Sequence, residues 1–239
     1  MKKLKLIFMS LGIAAMAFLG NSCDNSGYSL GDVWYSLVTV RPLDGAYYLT
    51  TDKGTSLWPA ATDIHWYKPK EKHRALAFYT LLSDEFHGYD HAIKVLSIQD
   101  ILTKPIAEDK GEENDTHYGD DPVKILDMWI GDGYLNVEFG FNYGGSVKHF
   151  INLLKASDVN TPYAFEFRHN AYHDSAYERR KGLVSFDLST LDTGGQEVEL
   201  SIRVKTFEGD KNYTVKYQPG AKESKEIQRN LSDDFVEIE

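Results

Sequence analysis

The chain has 239 residues, a formal net charge of −10 and one cysteine, and 13% of its residues are aromatic. Nucleic acids are bound through lysine and arginine contacts to phosphate, so an acidic chain argues against a nucleic-acid partner. A single cysteine excludes an internal disulfide, and the fold must therefore depend on a hydrophobic core. The length suits either one large domain or two modest ones.

Residues 1–22 are predicted to be a secretory signal peptide that ends directly before the cysteine, Cys23. Three lysines lie near its start, an apolar run covers residues 6–19, and small or short polar residues occupy positions 20–22. This order is typical of a secretory signal peptide. The apolar run is shorter than the ~20 residues that a membrane-spanning helix needs. Lipoprotein signal peptides are cleaved before such a cysteine, so we expect Cys23 to carry a diacylglycerol group and an acyl chain such as palmitate.

Loss of this leader removes three lysines and no acids, which takes the formal charge from −10 to about −13. Anionic lipid headgroups repel such a chain, so the lipid on Cys23 is its predicted membrane contact. Residues 23–31 are polar and rich in Gly and Ser, which predicts a tether between the anchor and the first domain.

Residues 32–107 are predicted to form a small β-barrel domain. Runs of β-branched and aromatic residues alternate there with turn-forming clusters. Five short strands in a domain of this size are typical of an OB-type barrel, although an SH3-like barrel would show the same pattern. The predicted strands cover residues 32–41, 46–50, 56–58, 74–82 and 91–101.

Residues 108–121 break the strand pattern and are predicted to be an acidic linker between two domains. Asp115, Asp120 and Asp121 raise the alternative of a calcium-binding loop. An EF-hand needs ligands at alternate positions, followed by a Gly and a later Glu, and the spacing here does not follow that order. The linker interpretation is therefore favoured.

Residues 122–219 are predicted to form an antiparallel β-sandwich. Apolar and polar residues alternate over 134–141, which gives one buried and one wetted face, and the same phase recurs at 163–168 and 198–205. Glycine-containing turns fall between such runs. About seven strands are expected, a number typical of a sandwich. They cover residues 123–130, 134–141, 147–154, 163–169, 183–188, 198–206 and 213–217.

Residues 220–239 are charged and have no sustained apolar face, so we expect a flexible tail. The chain as a whole is thus predicted to be all-β. An N-terminal OB-type five-stranded barrel is followed by a C-terminal antiparallel β-sandwich.

Three tryptophans of the barrel region, Trp34, Trp58 and Trp66, are candidate contacts for a ligand or partner. With Tyr47 and Tyr67 they would give the barrel an aromatic face of the kind that OB-folds use for oligosaccharides or single strands. The competing interpretation is that aromatic residues of a small barrel belong to its core. Because the chain is acidic and exported, a sugar or peptide is a better candidate ligand than a nucleic acid.

The longest polar connection of the second domain, residues 170–181, is a candidate contact site for a protein or ligand. Long loops on a rigid sandwich are often functional, and this loop mixes aromatic residues with charges of both signs. Ser175 lies near a histidine and an aspartate, but adjacency in sequence does not give the geometry of a triad, so no catalytic residue is assigned. The candidate contact residues are Tyr172, His173, Arg179 and Arg180.

His87, Asp90 and His91 in the stretch SDEFHGYDH raise the alternative of a zinc site. Such a site needs further ligands on one face or loop, and the stretch has neither a cysteine nor a third histidine. A polar hairpin turn is favoured, because Asp side chains commonly bond backbone N–H groups in turns. No metal or cofactor is predicted.

Distinctive stretches run along the mature chain, among them YSLGDVWYSLVTV (28–40), LLSDEFHGYDHAIKV (81–95), DPVKILDMWIGDGYLNVEFGFN (121–142) and RRKGLVSFDL (179–188). They resemble the NigD-like lipoproteins of Bacteroides, Prevotella and their relatives. The resemblance implies an N-terminal OB domain, a C-terminal β-sandwich and no known catalytic residues. Since the family takes its name from a gene beside a bacteriocin cluster, it also implies a role in bacteriocin immunity.

The resemblance implies attachment to the outer membrane. In such bacteria an acidic patch after the lipidated cysteine directs lipoproteins to the cell surface. Here Asp24 is the only charged residue directly after Cys23, so attachment at the periplasmic face of the outer membrane is the alternative to the cell surface. We expect a non-enzymatic binding module with an unidentified protein, peptide or glycan partner. The alternative is a surface carbohydrate-binding or glycan-handling accessory.

Overall fold

The computed structural model describes residues 28–156, 161–174, 178–220 and 235–239. The predicted leader, Cys23 and most of the predicted tether lie outside these residues. Strands dominate the described chain, which is all-β as predicted and has one short α-helix. None of the helices in the described ranges is long and apolar enough to cross a bilayer.

The first domain is a closed five-stranded barrel, as predicted. Its strands are β1 (Trp34–Leu43), β2 (Ala46–Thr51), β3 (Ser56–Thr62), β4 (His73–Phe86) and β5 (Tyr89–Pro105). They lie in the order β3-β2-β1-β4-β5, and a parallel pairing of β3 with the start of β5 closes the ring. This Greek-key closure is that of an OB-fold.

Short hairpins set the register of the barrel strands. Gly45, with φ 74°, joins β1 to β2, and the pair His87 and Gly88 joins β4 to β5 with φ values of 51° and 86°. Two positive φ values are those of a type I′ turn, whose twist matches the strands it connects. The barrel core lies inside this ring and contains Val38, Val40, Leu49, Leu57, Ala75, Ala77, Ile93 and Val95.

The second domain is a sandwich of two sheets. Its strands are β6 (Lys124–Gly131), β7 (Tyr134–Tyr143), β8 (Phe150–Lys155), β9 (Ala164–Asn170), β10 (Glu178–Asp187), β11 (Val198–Thr206) and β12 (Gly209–Tyr217). One sheet has the order β5-β10-β7-β6 and the other β12-β11-β9-β8. The pairs β5–β10 and β9–β11 are parallel. These two pairs depart from the antiparallel prediction, because their intervening strands cross to other positions.

Aromatic side chains fill the space between the two sheets. Phe139 and Phe141 of β7, Phe165 of β9 and Phe186 of β10 are fully buried. The period-2 alternation puts the residues between them on the opposite face of each strand. The inward positions predicted for β7, β9 and β11 are confirmed by this core. The wetted face predicted over 134–141 is wrong, because every residue of that stretch is buried.

The segment between the domains is packed, in contrast to the predicted acidic linker. It contains a 3-10 turn (Gly111–Glu113) and an α-helix, α1 (Asn114–Tyr118). Tyr118 is buried and donates a hydrogen bond to the Glu108 carbonyl at 2.7 Å. Asp115 and Asp120 form ion pairs with the buried Arg168 of β9, at 2.7 and 3.3 Å. The acidic side chains thus hold the segment against the sandwich.

Residues 235–239 also differ from the expected flexible tail. Ile238 is 8% exposed and belongs to the sandwich core, and Phe235 packs at the junction with the barrel. The Glu239 N–H donates to the His149 carbonyl at 2.9 Å, and the Ile151 N–H donates to the Glu239 carbonyl at 2.7 Å. The apolar residues of FVEI are too few to give a periodic signal in the sequence. In the structure they pack beside β8 and β10.

A buried ion pair of the barrel also bonds a side chain of the sandwich. Arg74 of β4 is completely buried, forms an ion pair with Asp52 after β2, and donates to the Thr39 hydroxyl at 2.8 Å. Trp129 of the sandwich donates its indole N–H to the other Asp52 oxygen at 2.8 Å. The guanidinium also lies 5.2 Å from the centre of the Tyr134 ring. We call Asp52, Arg74 and Trp129 the junction cluster.

Candidate functional site

The three predicted tryptophans lie in three separate places on the barrel. Trp34 begins β1 and is 48% exposed, Trp58 lies on β3 and is half-buried, and Trp66 lies between β3 and β4 and is 70% exposed. They therefore do not form the single aromatic face that was one of the two interpretations of the sequence.

Trp58 lies in an aromatic cluster on the barrel wall. Its ring centre is 4.9 Å from that of Tyr89, which in turn lies 5.2 Å from Tyr48. Leu49 and Leu57, the neighbours of Tyr48 and Trp58 along their strands, are buried in the core, so the aromatic rings face outward. All three rings are half-buried. We call Tyr48, Trp58 and Tyr89 the barrel aromatic surface.

Hydrogen bonds at its edge fix the strands that carry this surface. The Asp90 carboxylate accepts from the backbone N–H and the hydroxyl of Ser56, both at 2.7 Å. The Asp90 N–H donates to the Ser56 hydroxyl oxygen at 3.0 Å. These bonds tie the start of β5 to the start of β3. A rigid aromatic surface loses little entropy when a ligand binds it.

Trp66 is adjacent to a polar group of residues on the same barrel. The Tyr67 hydroxyl donates to Asp100 at 2.9 Å, and Lys70 and His73 contact the same carboxylate at 3.1 and 3.2 Å. Burial and the Asp100 carboxylate raise the pKa of Tyr67, while burial lowers the pKa of His73. Tyr67 packs edge-on against Tyr47 beside the core, so these two tyrosines support the barrel.

Tyr172 and His173 lie where predicted, in the connection between β9 and β10. Both have positive φ, 49° and 60°, a conformation that non-glycine residues adopt mainly in tight turns. The Tyr172 ring is 46% exposed and stacks on Phe150 with 6.5 Å between ring centres. The Tyr118 ring also stacks on Phe150, with 6.2 Å between ring centres, and the Lys104 ammonium lies 4.2 Å from the centre of the Phe150 ring. Burial lowers the pKa of Lys104 to about 8.

Asp174 of the same connection holds a turn of the neighbouring loop. Its carboxylate accepts backbone N–H bonds from Gly144 at 2.7 Å, Gly145 at 3.1 Å and Ser146 at 3.3 Å, and also accepts from the Ser146 hydroxyl. Its other neighbour is His149 Nε2, at 3.2 Å. These hydrogen bonds lower the pKa of the Asp174 carboxyl, and the bond from the Ser146 hydroxyl has the largest effect.

A buried histidine pair extends inward from Asp174. His149 Nδ1 lies 2.9 Å from His169 Nε2, and both imidazoles are buried beside Phe141. Burial, followed by the charge on His149, lowers the pKa of His169 to about 4. An Asp–His–His chain of this kind resembles part of a catalytic relay. The neighbouring Ser146, however, bonds the carboxylate rather than an imidazole, so within the described ranges the chain of side chains connects two loops and holds no serine against an imidazole.

Arg179 and Arg180 belong to β10 rather than to the loop that precedes it. Arg179 lies 4.8 Å above the Phe207 ring, and Arg180 is ion-paired with Glu178. As successive residues of a strand they point to opposite faces, so they do not act together on one ligand. Ser175 lies outside the described residues.

The two stretches considered for zinc and calcium bond to protein groups. Among the described residues, no group of three or more His, Cys, Asp and Glu side chains is arranged to hold a metal ion. In the SDEFHGYDH stretch, Asp90 bonds Ser56 and His91 lies 3.1 Å from Asp84. Of the aspartates in the acidic segment, Asp115 and Asp120 pair with Arg168, and Asp121 accepts from the Ala171 N–H.

A shallow cleft of about 570 Å³ lies between the acidic segment and the sandwich. Glu108, Asp109, Asp192 and Lys155 contribute its charged groups, and Tyr163 forms part of its wall. The cleft contains none of the predicted contact residues. It arises because the segment that follows β5 packs against the sandwich.

Sequence reasoning missed Tyr48 and Tyr89 of the barrel aromatic surface and His149 of the buried pair. The alternation in AYYLT gave a usable signal for Tyr48, because it places this residue opposite the core-facing Leu49. No comparable signal marks Tyr89 or His149. Their partners come from distant strands, and only the tertiary structure brings them together.

The fold and these surfaces define a two-domain β protein in which an OB-type barrel is joined to a β-sandwich. The model of the NigD-like N-terminal OB domain matches residues 37–101, and that of the NigD-like C-terminal beta sandwich domain matches residues 105–217. The chain belongs to the NigD-like family. No curated protein matches it.

Several solved structures are similar to the chain. A protein from Parabacteroides distasonis, described as toxin-related, is 47% identical, with a TM-score of 0.75 over 79% of this chain and 95% of that one. A protein of unknown function from Bacteroides vulgatus is 23% identical, with a TM-score of 0.69 over 82% and 97%. A NigD-like immunity protein from Bacteroides caccae is 22% identical, with a TM-score of 0.62 over 79% and 98%. The last two likenesses concern the fold alone.

Proposed function

We propose that the protein is a lipoprotein of the outer membrane, anchored through Cys23, that acts as a non-enzymatic binding module. The barrel aromatic surface is the observation that carries this proposal. Three rings face outward on a closed barrel, and hydrogen bonds between Ser56 and Asp90 hold their strands. Outward-facing aromatic side chains that are only half-buried and lie on rigid elements are typical of sites that bind a partner.

Immunity to a bacteriocin is the specific role that we propose. Membership of the NigD-like family supports it, as does the toxin-related description of the 47% identical protein from Parabacteroides distasonis. An immunity protein on the outer membrane would meet a bacteriocin as it arrives at the cell. The partner is then a protein, and the anchor keeps the binding module at the membrane.

Deletion of the gene tests the immunity role directly. The deletion strain should become sensitive to bacteriocins from related strains, and the wild-type gene should restore protection. A Trp58→Ala gene should restore less protection than a Trp66→Ala gene at equal protein level, because Trp58 lies in the barrel aromatic surface and Trp66 does not. Unchanged sensitivity of the deletion strain to all bacteriocins tested would exclude immunity.

Carbohydrate binding is the second candidate function. The same surface favours it, because aromatic rings on OB-type barrels hold oligosaccharides, and Ser56 and Asp90 give the surface a polar edge. The mature protein should then bind members of a polysaccharide panel, and Trp58→Ala should abolish that binding. Absence of binding across host and plant polysaccharides would remove this candidate.

A further inference from the structure

Exposed apolar side chains are concentrated at the start of the described chain. Five of the eleven large apolar residues that are exposed in the described ranges fall within residues 28–35. They precede the barrel core, whose first fully buried residue on β1 is Val38. We call these five residues the N-terminal apolar surface: Tyr28 (42% exposed), Leu30 (70%), Val33 (55%), Trp34 (48%) and Tyr35 (38%).

This surface is held on the barrel. Trp34 and Tyr35 pair with Tyr79 and Phe78 of β4, and the Tyr35 ring stacks on that of Phe78 at 5.9 Å. Further toward the N-terminus, the Tyr28 hydroxyl donates to Asp84, near the end of β4. Trp34 and Tyr35 are successive strand residues and point to opposite faces of β1. The surface therefore surrounds the start of this strand, and each of its side chains is partly exposed to water.

We propose that the N-terminal apolar surface rests in the interfacial region of the bilayer that holds the anchor. The inference depends on the anchorage at Cys23 proposed above. Only five residues lead from Cys23 to Tyr28, a span of at most about 18 Å even when fully extended. The headgroup region is itself roughly 5–8 Å deep on each side of the bilayer. An anchored chain thus keeps this surface within reach of the headgroups.

The chemistry of the surface fits a lipid interface. Trp and Tyr favour the headgroup level, because an apolar ring is joined there to an N–H or O–H that bonds water and headgroups. Leu30 and Val33 add aliphatic area that gains by leaving water. No Lys or Arg occurs in residues 28–40, and Asp32 and Asp84 lie close by. Zwitterionic headgroups, such as phosphatidylethanolamine, are therefore preferred over anionic ones.

The test attaches the mature chain, residues 23–239, to lipid by chemistry. Cys23 is the only cysteine, so it can be coupled to a maleimide phospholipid in vesicles of phosphatidylethanolamine and phosphatidylcholine. Lipids brominated near the headgroup then quench tryptophans at the interface. One of four tryptophans is expected within their reach, so quenching should remove up to roughly a quarter of the emission.

Paired variants identify the tryptophan that is quenched. Trp34→Ala should abolish the quenching, whereas Trp66→Ala should leave it unchanged. Trp66 is at least as exposed and lies before His73, at the opposite end of the β1–β4 ladder from Trp34. Leu30→Asp, a change at a solvent-exposed side chain, should reduce the quenching of Trp34 several-fold. The urea midpoint of each variant checks that the barrel is folded.

Three results would overturn the proposal. One is wild-type emission that does not respond to brominated lipid, and another is equal quenching in the Trp34→Ala variant. The third is a dimer of the uncoupled protein that Trp34→Ala dissociates, combined with no quenching on vesicles, which would assign the surface to a second copy of the chain. Lipidation in the cell is judged separately, from the mass of the N-terminal peptide of native protein, so its failure and that of docking are distinguishable.

Discussion

Removing the carboxylate of the junction cluster should destabilise both domains together. In an Asp52→Ala variant, the guanidinium of Arg74 stays fully buried and loses its ion-pair partner, while Trp129 loses the acceptor of its indole N–H. Removing one partner of a buried pair costs about 3–5 kcal/mol, since the remaining charge is not solvated. The Thr39 hydroxyl and the Tyr134 ring stay in place and keep the effect within that range.

Urea denaturation of the mature protein measures this loss. The midpoint should fall while the slope changes little, because the surface exposed on unfolding is nearly the same. Asp132→Ala is the matched control, since it removes a carboxylate paired with Arg41 at 2.7 Å, where the Arg41 side chain is 37% exposed. Exposed pairs contribute roughly 0–1 kcal/mol. Each of the two carboxylates accepts a hydrogen bond from the other domain, Asp52 from Trp129 and Asp132 from Arg41, so the burial of the paired guanidinium is the main property that differs.

A second substitution separates the buried charge from the loss of packing. Adding Arg74→Met to Asp52→Ala removes the unpaired guanidinium, and the double variant should be more stable than Asp52→Ala alone. The explanation would be refuted if Asp52→Ala cost no more than Asp132→Ala. It would also fail if Arg74→Met lowered the stability of the Asp52→Ala variant further.

Three further predictions concern stability. Gly131→Ala should cost about 1–3 kcal/mol in urea denaturation, because its Cβ would overlap the Asp52 carboxylate, whereas Gly140→Ala, whose Cβ would meet no atom closer than 3.8 Å, should cost less. For His169, the pKa falls from 6.5 to about 4 on folding, so the unfolded state binds more protons between these values. Stability should therefore drop by up to about 3 kcal/mol as the pH falls through that window, and an unchanged slope in His169→Gln would contradict this. Ile238→Ala should cost about 2–3 kcal/mol, and a loss no larger than that of the exposed Glu237→Ala would show that the C-terminal segment is not packed.

The strands of this fold were predictable because their signal is local. Alternation and glycine turns marked all five barrel strands and all seven sandwich strands to within a few residues at most ends. The parallel pairs β5–β10 and β9–β11 were not predictable in this way, since pairing between distant strands leaves no pattern within either one. The packed segment before β6 was misjudged for a related reason, because its acids are paired with Arg168, far along the chain.

The candidate surfaces were predictable only as residue types. Composition drew attention to Trp34, Trp58 and Trp66, but whether aromatic residues share a surface depends on strand register, which separates these three. In the β9–β10 connection, Tyr172 and His173 are at the surface, whereas the neighbouring Asp174 is committed to internal bonds. Sequence alone treats such adjacent polar residues alike, although their side chains face different surroundings.

Strand β5 belongs to both domains. Its first half closes the barrel against β3 and β4, and its last residues, Leu102 to Pro105, form the edge of a sandwich sheet beside β10. The two family matches meet within it, at residues 101 and 105. A cut at that boundary would leave the sandwich with an unpaired row of β10 backbone groups, which invites association between chains. The two domains therefore share one strand, and we expect a recombinant sandwich to need the end of β5 in order to remain soluble.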